Sequence, residues 1–310
     1  MPNVLGIDTS NYTTSAALLE NEKIYQSKML LPVKKGQLGL RQSDAVFHHV
    51  VQLPQVLSKL PIGESDLLAV GVSNRPRNIE GSYMPCFLTG FGSAQAIAQV
   101  KQIPLHPFSH QQGHIAAALY SANKLTLLHE QFLAFHVSGG TTEAVLVTPD
   151  DNEIFHTKIV ARSLDLKGGQ AVDRVGAMLG LPFPAGKELE KLAQKCNCNI
   201  SVRATMKGAD CSLSGVENRC RAMLERGAPQ EEIAAFCLAS ILAALEGMTE
   251  VLLKQLGNLP LVFAGGVMSN SILRAALENK YGAFFAEPDF SCDNAAGIAV
   301  LAAWKEGLLQ

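Results

Sequence analysis

Apolar positions along the chain fall into two registers. Short apolar runs at 4–7, 67–73, 132–137 and 259–264 are bounded by small polar residues and have the length of buried strands. Longer stretches with helical spacing occupy 44–60, 90–100, 111–120, 230–256, 271–279 and 293–306. Two further helices are expected at 170–179 and 187–195, separated by Pro182, Pro184 and Gly186. Short strands are expected at 103–106 and 284–285. Two segments look alike: VLGIDTSNYTTSAALLENEKIYQSKML at 4–30 and FLAFHVSGGTTEAVLVTPDDNEIFHTKIV at 132–160. Each reads as an apolar strand, a small-residue turn, a Thr-containing second strand, a polar turn and a third strand. Their recurrence points to an internal duplication. Meanders followed by helix and strand crossovers define an α/β chain of two similar lobes, with a boundary expected near residue 106.

Composition narrows this picture. The 310 residues are 47% hydrophobic and 17% charged, which excludes global disorder and supports a large core. The formal net charge is −2, which excludes a general nucleic-acid coat protein and leaves room for a local basic rim. Lys34, Lys35, Arg41, Arg75 and Arg77 are the candidates for that rim. The cysteines are scattered and odd in number, with no C-x-x-C, so reduced single thiols are expected. The N-terminus reads as a strand rather than a leader, and the apolar stretches read as shorter than a membrane span. The expectation is a cytoplasmic protein without a membrane partner.

Three small-residue turns follow strands. They are Asp8-Thr9-Ser10-Asn11, Ser138-Gly139-Gly140-Thr141-Thr142 and Ala264-Gly265-Gly266-Val267-Met268-Ser269-Asn270. Backbone amides exposed by glycine suit phosphate oxygens. Asp8, Gly265 and Gly266 are therefore candidates for cofactor contact, with Asp8 read as the holder of a metal-bound water. No P-loop and no G-x-G-x-x-G spacing occurs. His110 and His114 stand at i and i+4, which puts both imidazoles on one helical face, as metal ligation requires. Gln111 and Gln112 stand where H-E-x-x-H would carry its base. Asp293 is a candidate third ligand, and equally a natural first-turn acid. His48 and His49 read as surface or packing residues.

The set GIDTS, SHQQGH, HVSGGTTE, GGQAVDRVGAMLGLPFPAG, CSLSG, FAGGVMSN and CDNAAGIA resembles the TsaD or glycoprotease-like family, in order and spacing over almost the whole chain. The resemblance implies an actin-like, sugar-kinase-type (ASKHA) fold, with 1–106 plus 293–310 as one lobe and 107–292 as the other. It implies metal-dependent transfer of a threonylcarbamoyl group from threonylcarbamoyl-adenylate to the N6 amine of the tRNA adenosine beside the anticodon. It implies a divalent ion, Fe or Zn, on His110, His114 and Asp293. It places an adenine nucleotide or the adenylate near His136, Val137, Ser138, Gly139 and Gly140, with a ribose on Asp173 and a nucleoside pocket lined by Gly186 and Asn270. It implies tRNA, a smaller paralogue of the same fold and a small ATPase as partners.

The chain departs from the family pattern at five places. No acidic pair follows the first turn, where Asn11-Tyr12-Thr13-Thr14 stands. Gly169-Gln170 replaces Gly-Glu, Ser109 replaces a His, Asn74-Arg75-Pro76-Arg77 replaces a Gly-Pro-Gly loop, and Thr141 replaces a His. A non-catalytic nucleotide-binding scaffold in the same pathway is therefore the alternative. A metallopeptidase is disfavoured by the missing Glu beside His110.

Overall fold

The computed structural model describes residues 3–10, 12–32, 40–63, 66–198, 200–292 and 295–309. In chain order the elements are β1 (Asn3–Asp8), β2 (Thr13–Glu20), β3 (Lys23–Leu30), α1 (Gln42–Leu57), β4 (Leu67–Arg75), α2 (Phe87–Lys101), β5 (Leu105–Ser109) and α3 (His110–Ser121). Then come β6 (Phe132–Val137), β7 (Thr142–Asp150), β8 (Ile154–Arg162), α4 (Gly168–Met178), α5 (Gly186–Ala193), β9 (Thr205–Lys207) and β10 (Asp210–Ser212). The chain closes with α6 (Ser214–Glu225), α7 (Gln230–Leu256), β11 (Leu261–Ala264), α8 (Ser271–Tyr281), β12 (Phe284–Phe285) and α9 (Ala296–Lys305).

Packing divides the chain into two units: Met1–Thr126 with Asp151–Ile154 and Asp289–Gln310, and Leu127–Asp150 with Phe155–Pro288. The break expected at 106 moves to 126. The reason is α3, which packs on α9 and on β4 and β5, and so stays with the first unit.

The duplication is visible in the sheets. The first unit orders its strands β3-β2-β1-β4-β5, and the second orders them β8-β7-β6-β11-β12. In both, the first two strands pair antiparallel, through β1/β2 and β6/β7. The next neighbours run parallel, through β1/β4 and β4/β5 in one sheet and β6/β11 and β11/β12 in the other. Parallel neighbours are covered on both faces, so β1 and β11 are buried along their full length.

In the first unit α9 is the central cover. Ala296 to Ala303 are all buried, and the helix packs on β1, β2, β4 and α3. Its small side chains let backbones approach closely. A Cβ on Gly297 would lie 1.8 Å from the Gly113 carbonyl oxygen on α3, so glycine is required there. In the second unit Phe135, Phe263 and Phe285 stack in series, with ring centroids 4.5 and 5.4 Å apart, at the heart of the core.

Helix α7 corrects the reading of apolar lengths. Its 27 residues are long and apolar enough to cross a membrane by length and composition. Ile233, Cys237, Ile241, Leu245, Met248 and Leu252 are instead buried in the core of the second unit, with α4, α5, α6 and α8 around them. The β9–β10 hairpin and α6 were not expected. All seven cysteines are free thiols, and Cys86, Cys211, Cys220 and Cys237 are buried.

Candidate functional site

The first unit builds a line of polar groups from the end of β1 to the first turn of α3. Ser109 closes β5 and starts α3, as a capping box. Its hydroxyl accepts from the Gln112 amide at 3.2 Å, and the Gln112 side-chain oxygen accepts from the Ser109 amide at 2.9 Å. The residue standing in place of the family's first His is therefore a helix cap. The S-x-x-Q spacing carried that signal in the sequence.

This cap makes His110 the first helical residue. Its Nδ1 lies 2.7 Å from Asp8 Oδ2, and Asp8 Oδ1 accepts from the Ser10 amide at 2.7 Å. The Asp8 carboxylate is thus engaged by His110 on one oxygen and by the Ser10 amide on the other. Burial by itself would push the Asp8 carboxyl up. The charge and hydrogen bond of His110, with the hydrogen bonds from Ser10, hold it below its ordinary value. An ionised Asp8 only accepts, so His110 donates to it from Nδ1, and Nε2 is the ring atom a cation would take. His114 Nε2 faces that atom at 2.9 Å.

Two ring nitrogens converging on one point, one of them fixed in tautomer by a buried carboxylate, is a donor set that fits a divalent ion. Asp293 lies outside the described residues, and among the described residues no cluster of three His, Cys, Asp or Glu is found. The structure thus brings His110 and His114 together and adds Asp8, at 102 residues' separation, as the group that orients His110.

A second buried network stands on β2 and α1. Gln52 Nε2 donates to the Leu30 carbonyl at 3.1 Å, which turns Gln52 Oε1 toward the Thr14 hydroxyl at 2.9 Å. Thr14 donates there, so it accepts from His49 Nδ1 at 2.8 Å. His49 is fully buried, and burial pushes its pKa down to about 4. The unfolded chain binds this proton below roughly pH 6.5, while the folded chain does not until about pH 4. Stability therefore falls as pH drops through that window, by on the order of 3 kcal/mol for this group. His49→Gln is expected to flatten the pH dependence. Urea melts at pH 7 and pH 4.5 check this, and equal slopes in the two proteins would remove His49 as the cause.

In the second unit β11 runs beside β6 with Ala264 opposite His136, so the turns after both strands leave the same end of the sheet. Gly265 adopts φ 99°, and a Cβ there would strike the Val137 carbonyl oxygen at 2.4 Å. The other turn closes on itself, with the Ser138 amide on Thr141 O at 2.7 Å and the Thr141 amide on Ser138 Oγ at 3.1 Å. Gly139 and Gly140 remain exposed, with open space beside them. The first turn of α4 docks under this loop, as the Gly169 amide donates to Ser138 O at 3.0 Å. A glycine turn set against a helix N-terminus suits an anion.

Other expected pocket residues have structural duties too. Asp173 Oδ1 accepts from the Ala185 amide at 2.9 Å, tying α4 to the start of α5 at Gly186. Asn270 Oδ1 caps α8 by accepting from the Ile272 and Leu273 amides, each at 3.1 Å. Gly266 opens the short 3-10 turn that leads to it.

Asp165 was not singled out, yet it organises the CSLSG segment. Its Oδ1 accepts from the Leu166, Leu213 and Ser214 amides, and its Oδ2 accepts from the Ser214 hydroxyl. Burial opposes ionisation there, and the bonds from Ser214, Leu213 and Leu166 hold the carboxyl below its ordinary value.

The expected basic rim is altered. Lys34 and Lys35 lie outside the described residues. Arg75 bonds Asn74 and Asn78 and pairs with Glu153 at 3.5 Å, so its charge is committed.

A five-stranded sheet of this order, repeated in both units, defines the actin-like, sugar-kinase-type fold class. Solved structures agree on the fold. A T. kodakarensis HypF matches with TM-score 0.62 and 14% identity, over 100% of this chain and 48% of that one. Component A of the Acidaminococcus fermentans (R)-2-hydroxyglutaryl-CoA dehydratase matches with TM-score 0.56 and 16% identity, over 99% and 100%. The family model described as "TsaD: tRNA N6-adenosine threonylcarbamoyltransferase" matches residues 36–300, and the chain belongs to that family. A Streptococcus equi subsp. zooepidemicus protein named tRNA N6-adenosine threonylcarbamoyltransferase is 31% identical, over 98% of this chain and 91% of its own. One of the same name from Chlorobium phaeovibrioides is 29% identical, over 96% and 92%.

Proposed function

We propose that this chain is a tRNA N6-adenosine threonylcarbamoyltransferase. The observation that carries the reading, beside family membership, is the intact Asp8–His110–His114 line. The adenosine N6 attacks the carbamoyl carbon of threonylcarbamoyl-adenylate. The new N–C bond forms as the C–O bond to the adenylate phosphate breaks, AMP departs, and the amine proton passes to solvent. A divalent ion on His110 and His114, with Asp293 as the expected third ligand, would supply Lewis-acid polarisation of the carbonyl or hold the threonyl carboxylate.

The chain's own groups bind and orient. Asp8 keeps the His110 proton on Nδ1. The amides of Gly139 and Gly140, at the N-terminus of α4, receive the adenylate phosphate, with Gly265 and Gly266 beside them. Asp173, through its second oxygen, takes a ribose hydroxyl, and Gly186 and Asn270 line the nucleoside. His136 and Val137 lead into the phosphate turn. Much of the acceleration then comes from positioning. The resemblance adds a smaller paralogue and a small ATPase as working partners, in the cytoplasm.

The scaffold alternative rested on lost site residues. The substitution at Ser109 leaves the His pair intact, because the serine caps the helix that carries it. Asp173→Asn keeps the acceptor for Ala185 and removes the charge. It is expected to weaken AMP binding about tenfold by calorimetry. An unchanged affinity would take Asp173 out of the ribose site.

A further inference from the structure

The committed charge of Arg75 leaves open where a nucleic acid meets this chain. Residues 195–226 of the second unit carry six Lys and Arg against three Asp and Glu, in a chain whose formal net charge is −2. Beside this segment a cavity of about 60 Å³ opens between the loop leading into β9, the turn from β10 into α6, and the flank of α7. Val202, Leu213, Val216 and Ala244 make its apolar wall. Arg203, Arg219, Thr205 and Ser212 are the polar residues of its lining, with Ser240.

Both arginines are exposed, and among the described residues neither has an acidic partner. The nearby acid on α6, Glu217, is already held by Arg174 at 2.9 Å and Arg221 at 3.0 Å. Asp165 already accepts from the Leu166, Leu213 and Ser214 amides and from the Ser163 and Ser214 hydroxyls. Two arginines without an acidic partner on the lining of one small opening suit a phosphate, which a guanidinium can bind in a bidentate fork. The cavity admits a tetrahedral oxyanion. It lies far below the roughly 300 Å³ where small-molecule sites begin, which suits an oxyanion better than a nucleoside.

We propose that Arg203 and Arg219, with Thr205 and Ser212, form a backbone-phosphate subsite for the tRNA, separate from the adenylate-binding turns. This rests on the reading of the chain as a tRNA enzyme. The net basic charge of the surrounding segment favours a polyanion over a lone ion.

The test measures binding of unmodified tRNA to the full-length chain across a salt series, alongside transfer activity. For R203Q/R219Q the slope of log affinity against log salt is expected to fall by about one, with affinity down about tenfold at low salt and an unchanged melting curve. R203K/R219K is expected to recover most of the salt slope. R221Q, which removes the same kind of charge outside the cavity, is expected to leave the slope unchanged. A wild-type slope in R203Q/R219Q, an equal loss in R221Q, or no tRNA binding by the wild type would each overturn the subsite. Binding of inorganic phosphate that depends on both arginines, without any change in the tRNA slope, would mark a free-oxyanion site and equally overturn it. Arginine-dependent tRNA binding without transfer would sustain the subsite and count against the proposed reaction.

Discussion

His110→Ala is expected to release the bound divalent ion and to abolish transfer. The variant removes one of two ring nitrogens that stand 2.9 Å apart, and it unpairs the buried Asp8 carboxylate. Losing one ligand of a small donor set removes most of the affinity, because His114 Nε2 is then left without its converging partner. Asp8→Asn isolates the orienting role. Both ring nitrogens stay in place, but an amide can donate to His110 Nδ1 and turn the tautomer, which puts the proton on Nε2. A 10- to 100-fold loss of metal affinity is the usual scale for such an orienting partner, so roughly that is expected here. Metal content of the purified proteins, by mass spectrometry of the dialysed protein, reads both variants without reference to activity. Full metal occupancy in His110→Ala would remove the His pair from the site.

The second large effect is on folding. Gly297→Ala places a methyl group 1.8 Å from the Gly113 carbonyl oxygen and 2.7 Å from the Ala117 amide nitrogen, so both obstacles are backbone and neither can swing aside. Overpacking of this kind costs about 3 kcal/mol or more, a large share of a domain's total stability. Loss of soluble folded protein, or a melting midpoint lowered by many degrees, is expected. Gly92→Ala is the contrast. It lies on the exposed side of α2 with nothing near its Cβ position, and it is expected to stabilise by about 0.5–1 kcal/mol. If the two variants melt alike, close approach of α3 and α9 is not what positions His110 and His114.

These outcomes mark what the chain declares locally and what it does not. The strands at 4–7 and 132–137 were legible because each is a short apolar run closed by a small-residue turn. His110 and His114 were legible because an i, i+4 pair shares a helix face whatever the rest of the chain does. The role of Asp8 was not legible as such, since its partner is 102 residues away and only the fold joins them. His49 was read as surface or packing, and the structure buries it in a bonded chain with Thr14, 35 residues earlier. The boundary was placed too early because nothing in residues 107–126 announces that α3 packs on a helix from the far end of the chain. Residues 230–256 read as a long buried helix, and α7 bears this out, with its length and apolarity explained by its place in the second core. The β9–β10 hairpin has strands of three residues each, too short for alternation to be read.

This chain, through its Asp8–His110–His114 line, is expected to modify tRNA. The most direct measurement is the N6-threonylcarbamoyladenosine content of tRNA, by mass spectrometry, in cells where this chain is the sole family member. Wild type is expected to restore the modified nucleoside, and His110→Ala and Asp8→Asn to leave it absent or sharply reduced. Tests of the intact chain that show no modification, or full modification by His110→Ala, would contradict the account.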